Sequence, residues 1–442
     1  MTNCVPKNDP LFKSILITNR GEIAVRVART LRNLGIESIA IYSEVDRNSG
    51  HVIAADRGIE LKGASSSEIY LRNDLIIEAA KVQKAQAIFP GYGFLLENED
   101  FARECESAGL CFIGPTSEQI HRLGLKHIAY ELAADANLPL LPHTGLLSGL
   151  DEAKKEASTI GYPIMLKSTA GSGGNAITRC STEQELIIAF EKVRRAAVKF
   201  LKNDGIYMER CIEDARHIEV QIFGDGHGHI VAISERDCSL QRRNQKIVEE
   251  APPPNLSDDT RARLRDSAIR LGSLVKYRSA GTVEFIYDRT SNEFYFLEVN
   301  CRLQVEHPVT EAIFGIDLVE WMIKLAADQS PDTLYNLPSP TGASIEVRIC
   351  SENPLHDFRS SSGTLHEVTF PNNIRVDTWI TNGREVSRYY DSLLAKVIVH
   401  GKNRQEAIEQ MCHALEQTFL TDCFKYKPNA IEVLEAGTYT TI

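Results

Sequence analysis

The alternation of short apolar segments with amphipathic helical segments constrains the fold of the first 115 residues. Residues 14–18 and 38–43 are apolar enough to be buried strands. Residues 23–34 carry apolar side chains at helical spacing and precede Gly35, which favours a helix end. The same order returns with a helix at 75–82 and a strand at 85–89. This β–α–β order predicts a doubly wound parallel sheet, in which ligands bind beyond the C-terminal ends of the strands.

The remainder of the chain separates into three predicted units. Residues 116–140 predict a helical connector that passes through Lys126. Residues 141–210 predict a small unit with strands at 163–167 and 206–210, and with a helix opened by the capping box Thr182–Glu185. Strands dominate residues 211–442, where 282–299 form a predicted hairpin. The fold class is therefore α/β, or α+β over the whole chain.

The predicted hairpin carries two carboxylates, Glu284 and Glu298. If Glu284 lies opposite Glu298, the two side chains share a face and repel each other unless a cation lies between them. Two such oxygen ligands, completed by phosphate oxygens, are typical of a bound Mg²⁺ ion. The alternative is that each glutamate pairs with a surface lysine or arginine.

Polar and apolar residues alternate strictly from Glu298 to Glu306. In an extended chain the polar side chains would all lie on one face. These side chains are Glu298, Asn300, Arg302, Gln304 and Glu306. The pattern suits either a half-buried surface strand or a wall that holds an ion or a phosphate.

Two further segments could bind an anion. Residues 167–174 place Lys167 before a glycine-rich loop, whose backbone N–H groups could close on phosphate oxygens, although such a loop is often only a flexible turn. Residues 235–254 carry Arg242, Arg243 and Lys246, which could supply a local positive field or form a solvated face. Together with Lys126 and the hairpin carboxylates, these segments predict an ATP·Mg site between two lobes.

Composition excludes several functional classes. The net charge of −11 argues against binding to nucleic acid or to an anionic membrane. The sequence has neither an apolar segment of membrane-spanning length nor a recognisable targeting segment. The ten cysteines are scattered singly, as is typical of reduced thiols, so a cytoplasmic location is expected.

Several motifs, in order along the chain, resemble those of the ATP-grasp superfamily, and specifically of biotin carboxylases. They are N-R-G-E-I-A-V-R (19–26), P-G-Y-G-F (90–94), F-I-G-P (112–115), R-H-I-E-V-Q (216–221), E-R-D-C-S (235–239) and R-L-Q-V-E-H-P-V-T-E (302–311). S-L-Q-R-R-N-Q-K (239–246) and R-V-D-T-W (375–379) are most similar to the urea carboxylase branch. The resemblance implies an ATP-grasp fold with an N-terminal biotin carboxylase domain (1–115), the connector (116–140), a small lid domain (141–210) and a C-terminal domain rich in antiparallel sheet (211–442).

The resemblance also implies roles for individual residues. The implied ATP-binding residues are Lys126, Lys167, Gly173, Gly174, Glu209, Ile212, His217, Gln241 and Asn244. Glu284, Glu298 and Asn300 would hold Mg²⁺ or Mn²⁺, and Lys246, Arg302, Gln304 and Val305 would bind bicarbonate. Glu306 would be the base that activates bicarbonate, and Arg348 would bind biotin and stabilise its enolate. Lys246, Arg302, Glu306 and Arg348 are thus the implied catalytic residues.

The same resemblance implies partners that the sequence itself does not supply. No biotin-acceptor motif of the A-M-K-M type occurs, so a biotinylated carrier domain and a carboxyltransferase are expected elsewhere. The family also allows a homodimer.

The chain departs from the family in the lid, at Ser172, Asn175 and Ala176, and at Ser360 and Ser362, where prolines are usual. These departures motivate two alternatives: a biotin-independent ATP-grasp ligase, and a catalytically weakened paralogue that acts as a binding or regulatory subunit.

Overall fold

The computed structural model describes residues 11–168, 177–196 and 205–421, and it begins with a five-stranded parallel sheet. The strands are β1 (Ser14–Ile17), β2 (Glu37–Ser43), β3 (Arg57–Leu61), β4 (Ala87–Phe89) and β5 (Cys111–Phe112). The helices are α1 (Gly21–Asn33), α2 (Gly50–Ala54), α3 (Asn73–Val82), α4 (Glu99–Ser107) and α5 (Ser117–Gly124). The order β3-β2-β1-β4-β5, with every pairing parallel, confirms the predicted doubly wound sheet.

A connecting helix leads to a small three-stranded unit. The helices here are α6 (Lys126–Asp135), α7 (Leu150–Ile160) and α8 (Glu183–Ala196). The strands, in the order β7-β6-β8, are β6 (Ile164–Ser168), β7 (Ile177–Cys180) and β8 (Ile206–Arg210). Thr182 accepts the backbone N–H of Glu185, as the capping box predicts. The core of this unit contains Ile164, Leu166, Leu186 and Met208, all completely buried.

An eight-stranded antiparallel sheet forms the centre of the C-terminal part, in the order β13-β12-β9-β10-β11-β14-β21-β19. Its strands are β9 (Ala215–Asp225), β10 (Ile230–Arg242), β11 (Gln245–Ala251), β12 (Arg278–Asp288), β13 (Glu293–Asn300), β14 (Ala343–Cys350), β19 (Arg375–Thr378) and β21 (Leu393–Gly401). The helices of this part are α9 (Asp258–Leu274), α10 (His307–Phe314), α11 (Leu318–Ala326), α12 (Asp332–Tyr335) and α13 (Arg404–Gln417).

Three two-stranded ladders complete the strands of the described ranges. They pair β15 (Glu352–Asn353) with β16 (Arg359–Ser360), β17 (Gly363–Leu365) with β20 (Arg384–Val386), and β18 (Glu367–Thr369) with β22 (Phe419–Thr421). Ser360 and Ser362, which stand where the family has prolines, lie in and beside β16. None of the helices in these ranges combines the length and apolarity needed to cross a membrane.

The hairpin β12–β13 has the predicted register, with Glu284 opposite Glu298. The prediction of one extended segment from Glu298 to Glu306 is wrong, because β13 ends at Asn300 and residues 301–306 are irregular. Two apolar residues of this segment pack into different cores: Cys301 joins the cluster beneath β12 and β13, whereas Leu303 joins the cluster around α1, α10 and α11. The chain must turn between them, and it continues into α10, where Pro308 lies in the first turn.

Candidate active site

A cavity of about 1020 Å³ lies where the two large sheets and the small unit meet. Every predicted site residue within the described ranges lines it. These residues are Lys126, Lys167, Glu209, Ile212, His217, Gln241, Asn244, Lys246, Glu284, Glu298, Asn300, Arg302, Gln304, Val305, Glu306 and Arg348. The predicted ATP-binding residues Gly173 and Gly174 lie outside the described residues, as do Ser172, Asn175 and Ala176.

The two hairpin carboxylates face the cavity and are neutralised by basic side chains. Glu298 forms an ion pair with Lys126, and Oε2 of Glu284 lies 2.8 Å from Nε2 of His217. Burial raises the pKa of Glu284, but the charges of Lys246 and His217 outweigh it and hold that pKa well below its ordinary value. Burial likewise opposes ionisation of Glu298, and Lys126 lowers the pKa of Glu298 nevertheless. Both glutamates are therefore ionised at neutral pH.

The oxygen atoms around this pair fit a hard divalent cation. Asn300 donates from Nδ2 to Oε1 of Glu284 over 2.8 Å, so its Oδ1 points away from that carboxylate and accepts from Nη2 of Arg302 at 3.0 Å. Two carboxylates and one amide oxygen are the ligand types that Mg²⁺ and Mn²⁺ prefer. Glu284, Glu298 and Asn300 could thus hold a metal ion. Its binding would replace the contacts of Glu298 with Lys126 and of Glu284 with His217.

Lys246 is the cation on which the site converges. Its Nζ lies within hydrogen-bonding distance of four oxygens: Oε2 of Glu219 (2.6 Å), Oε1 of Glu284 (3.0 Å), Oε1 of Gln304 (3.1 Å) and Oε1 of Glu306 (2.6 Å). Burial favours loss of its proton, but the charges of Glu219 and Glu284 outweigh burial and raise the pKa of Lys246 well above its ordinary value. The ammonium group is therefore permanently charged and lies where an anion could replace part of the carboxylate contacts.

The basic segment predicted around Lys246 does not act as one positive field. It forms the hairpin β10–β11, in which Arg243 and Asn244 have φ of 52° and 64°, the left-handed values of a two-residue turn. Arg242 forms an ion pair with Glu352, and Arg243 forms one with Asp357. These carboxylates lie just after β14, more than a hundred residues along the chain from the arginines, so sequence proximity could not reveal the pairing.

Glu306 and Arg348 form the other wall of the site. Nη2 of Arg348 lies 3.1 Å from Oε2 of Glu306 and 2.6 Å from Oε1 of Glu249. Burial opposes ionisation of Glu306, yet Lys246 and Arg348 lower the pKa of Glu306 below its ordinary value. In contrast, burial raises the pKa of Glu249 to about 7, because Arg348 offsets only part of that effect. The site thus contains an ionised carboxylate facing the cavity and a weaker acid behind it.

Comparisons with known proteins agree with this arrangement. Family descriptions match residues 11–120 (biotin carboxylase, N-terminal domain), 126–333 (carbamoyl-phosphate synthase L chain, ATP binding domain) and 346–440 (biotin carboxylase C-terminal domain). Biotin carboxylase 1 of Bacillus subtilis is 41% identical over 98% of this chain and 96% of its own length. The chain belongs to the biotin carboxylase family. Enzymes of this family are ATP-dependent ligases that form a C–N bond.

Among the relatives are much longer urea-metabolising proteins. Urea amidolyase of Lachancea kluyveri is 50% identical over 98% of this chain, which spans only 25% of that relative's length. The structure of Kluyveromyces lactis urea carboxylase is 44% identical, with a TM-score of 0.78 over 96% of this chain and 31% of that chain. The two alternative functions drawn from the altered lid find no support among these relatives.

Several solved relatives contain ligands. The biotin carboxylase domain dimer of Hydrogenobacter thermophilus 2-oxoglutarate carboxylase, in complex with MgADP, ADP and bicarbonate, is 40% identical. Its TM-score is 0.94, and the match covers 98% of this chain and 97% of that chain. The ATP-grasp fold expected from the motifs is therefore shown by close structural similarity at substantial sequence identity.

The residues of the implied nucleotide end are already bonded to one another. Lys167 forms an ion pair with Glu209, and Tyr130 donates to Oε2 of Glu209 over 2.6 Å. Nε2 of Gln241 lies 2.8 Å from the carbonyl oxygen of Cys238 and 2.9 Å from Nδ1 of His217. Burial opposes protonation of His217, but Glu284 raises its pKa above the ordinary value. This end of the cavity therefore presents cations and amide groups, which suit a polyanionic ligand.

Sequence reasoning missed three charged residues that organise this biotin carboxylase site. Glu219 bonds both Lys246 and the fully buried Arg236, whose Nη1 reaches Gln221 (2.7 Å). Glu97 lies 3.4 Å from Nε of Arg302. Glu219 lies two residues after His217 in R-H-I-E-V-Q, and Arg236 lies in E-R-D-C-S. Two of the three residues therefore belong to motifs that had served only to indicate the family.

Proposed function

We propose that this chain carboxylates biotin with bicarbonate at the expense of ATP, as the biotin carboxylase component of a urea-carboxylase-like system. The observation that supports it best is the contact of Lys246 with Glu306, next to the carboxylate pair Glu284–Glu298. An anion-binding cation, a base and a metal-binding pair are the parts that joining bicarbonate to a phosphoryl group requires.

In the proposed reaction, Lys126 and Lys167 bind the phosphates of ATP, while Gln241, Asn244, Ile212, Glu209 and His217 line the rest of the nucleotide site. A divalent ion on Glu284, Glu298 and Asn300 would offset the charge of the phosphates. Bicarbonate binds to Lys246, Arg302, Gln304 and the backbone of Val305. These positive groups reduce the repulsion between bicarbonate and ATP.

Glu306 accepts the proton of bicarbonate, and a bicarbonate oxygen then attacks the γ-phosphorus as the bond to the ADP oxygen breaks. The products of this step are carboxyphosphate and ADP. The carboxyl group then passes to N1 of biotin as the bond to phosphate breaks, phosphate leaves with the N1 proton, and Arg348 stabilises the negative charge on the ureido oxygen. Glu306 releases its proton to solvent before the next turnover. Glu306 suits its role because it is ionised, buried and within contact of both Lys246 and Arg348.

The wider system is also part of the proposal. A biotinylated carrier domain would present biotin, and a carboxyltransferase would use the product, with urea or a similar small amide or guanidine as acceptor. A homodimer is proposed because the H. thermophilus relative is a dimer. Cys105, Cys180, Cys238, Cys301 and Cys350 are free thiols buried in the described part of the chain, which supports a cytoplasmic location.

The deciding experiment measures ADP release with and without bicarbonate, and with and without free biotin. We expect release that requires bicarbonate and rises with biotin, and that Glu306→Gln abolishes. Glu320→Gln, on the outer surface of α11, is the matched control and should behave as wild type. ADP release that is independent of bicarbonate, in a folded protein, would contradict the proposal.

A further inference from the structure

One face of the large antiparallel sheet carries a buried row of charged residues. Arg348 lies opposite Lys396, and Lys396 lies opposite Asp377, so these three side chains share a face. Glu346 joins the same face two residues before Arg348, and Glu249 lies opposite it. The other face is apolar and packs on α13. Charges are rarely placed in such a row without a purpose, because their desolvation costs several kcal/mol for each ion.

Lys396 is the cation of this row that has no role in the proposed reaction. Its side chain is completely buried, and its Nζ donates to the backbone carbonyl of Val305 over 2.9 Å. Nζ also lies 3.2 Å from Oε1 of Glu22, at the start of α1. One ammonium group therefore joins the N-terminal domain, the C-terminal sheet and the irregular segment 301–306.

That segment lacks the support of a strand ladder, since β13 ends at Asn300. The backbone carbonyls of Gln304 and Glu306 accept from His307 and Val309, which belong to α10 and move with the segment. The bond from Lys396 to Val305 ties the segment to the sheet instead. It does so between Gln304 and Glu306, the two side chains that reach Lys246.

We propose that Lys396 is a positioning residue, which fixes the carbonyl of Val305 and thereby holds Gln304 and Glu306 in register with Lys246 and Arg348. The proposal rests on the proposed function, because it concerns the bicarbonate end of that site. It distinguishes this end from the nucleotide end, whose described residues lie on or beside α6, β6, β8, β9 and β10 and have no contact with Lys396 among the described hydrogen bonds.

A simpler role would be to neutralise the buried carboxylate of Glu22. The two roles are separated by a pair of substitutions: Lys396→Met removes both contacts, whereas Glu22→Gln with Lys396→Met also removes the charge of Glu22 and still leaves Val305 unheld. If the whole role of Lys396 is to neutralise Glu22, the double variant recovers wild-type kinetics.

The test measures KM for bicarbonate, KM for ATP and kcat in four variants: K396M, E22Q, the double variant and K324M. Lys324 pairs with Glu320 on the surface of α11 and serves as the control. We expect K396M and the double variant to raise KM for bicarbonate about tenfold while KM for ATP changes less than about twofold. E22Q and K324M should remain close to wild type.

Hydrogen exchange provides a readout that does not depend on turnover. In the double variant, the amides of residues 303–307 should exchange faster than in wild type, while those of β12 and β13 should not. Recovery of wild-type KM and exchange in the double variant, or equal rises in both KM values, would overturn the proposal. If wild type shows no bicarbonate-dependent turnover, the proposed function fails, and the exchange rates still decide whether Lys396 holds the segment.

Discussion

The ammonium nitrogen of Lys246 lies 2.6 Å from Oε1 of Glu306, so the anion-binding cation and the base of the proposed reaction form an ion pair. Each group sets the charge state of the other: Glu306 helps to keep Lys246 protonated, and Lys246 helps to keep Glu306 ionised. Glu306 is buried and Lys246 is largely enclosed, so removing either one leaves the other without its compensating charge. Bicarbonate entering this site would share the pair rather than meet a free cation.

Lys246→Met should lower bicarbonate-dependent kcat by roughly a hundredfold or more, because it removes the cation that faces both bicarbonate and three carboxylates. Nucleotide affinity should change only a few-fold, since Lys126 and Lys167 are untouched. Steady-state ADP release and a fluorescent nucleotide titration measure the two quantities. Lys154→Met, which alters an outer ion pair with Glu183 in the small unit, is the control. A parallel loss of nucleotide binding would contradict the assignment of Lys246 to the bicarbonate end.

Glu298→Gln should raise the Mg²⁺ concentration required for half-maximal activity by about tenfold, because it removes one anionic ligand. Glu293 lies on the same strand and pairs with Arg263 outside the cavity. The control substitution Glu293→Gln should therefore leave the Mg²⁺ requirement unchanged. Chelation should stop ADP release, and Mn²⁺ should restore it. An unchanged Mg²⁺ titration in E298Q would exclude this carboxylate from the metal site.

Glu249 should make the protein less stable as the pH rises. Its folded-state pKa is raised to about 7 by burial, above the ordinary value of 4.5. The stability that the raised pKa of Glu249 gives to the folded protein is therefore fully present below pH 4.5 and is lost as the pH rises towards 7. In Glu249→Gln this loss is absent, so the Tm difference, wild type minus E249Q, should decrease between pH 5 and pH 8. Thermal melts measure it, with the exposed Glu118→Gln as control. A pH-independent difference would contradict the raised pKa.

Gly50→Ala tests the contact between α2 and Trp379, the residue that follows β19. A Cβ atom at Gly50 would lie 2.2 Å from the backbone oxygen of Trp379, so the two parts must move apart. We expect a loss of roughly 1–3 kcal/mol, seen as a lower Tm. Gly124→Ala, where no atom lies within 4 Å of the added Cβ, should leave Tm nearly unchanged. Equal Tm values for the two variants would show that the contact is easily relieved.

Local patterns in the sequence were sufficient for the parallel sheet and for the hairpin. The β–α–β order of the first 115 residues and the opposition of Glu284 and Glu298 are both confirmed. Asp317, a residue type that favours the N-cap position, precedes α11 and accepts the backbone N–H of Glu320 at 2.9 Å. Each of these features follows from residues close together in the chain, where spacing alone decides which side chains meet.

The alternation of polar and apolar residues was misleading from Cys301 to Glu306, because it continues there although this segment pairs with no strand. Cys301 and Leu303 point into separate hydrophobic cores, and only the packing of α10 and α11 against α1 decides where the chain turns. The polar residues still meet at Lys246, but through a bend rather than along one face.

The sequence by itself determined the family and the set of side chains at the site, since the motifs name the family and every described residue that they implied lines one cavity. Only the tertiary structure decided how the charges are shared: Glu219 holds Lys246, Glu249 holds Arg348, and Lys396 holds Val305. Partners of this kind are separated by 27 to 99 residues and are joined by strand register and burial, which no local pattern encodes.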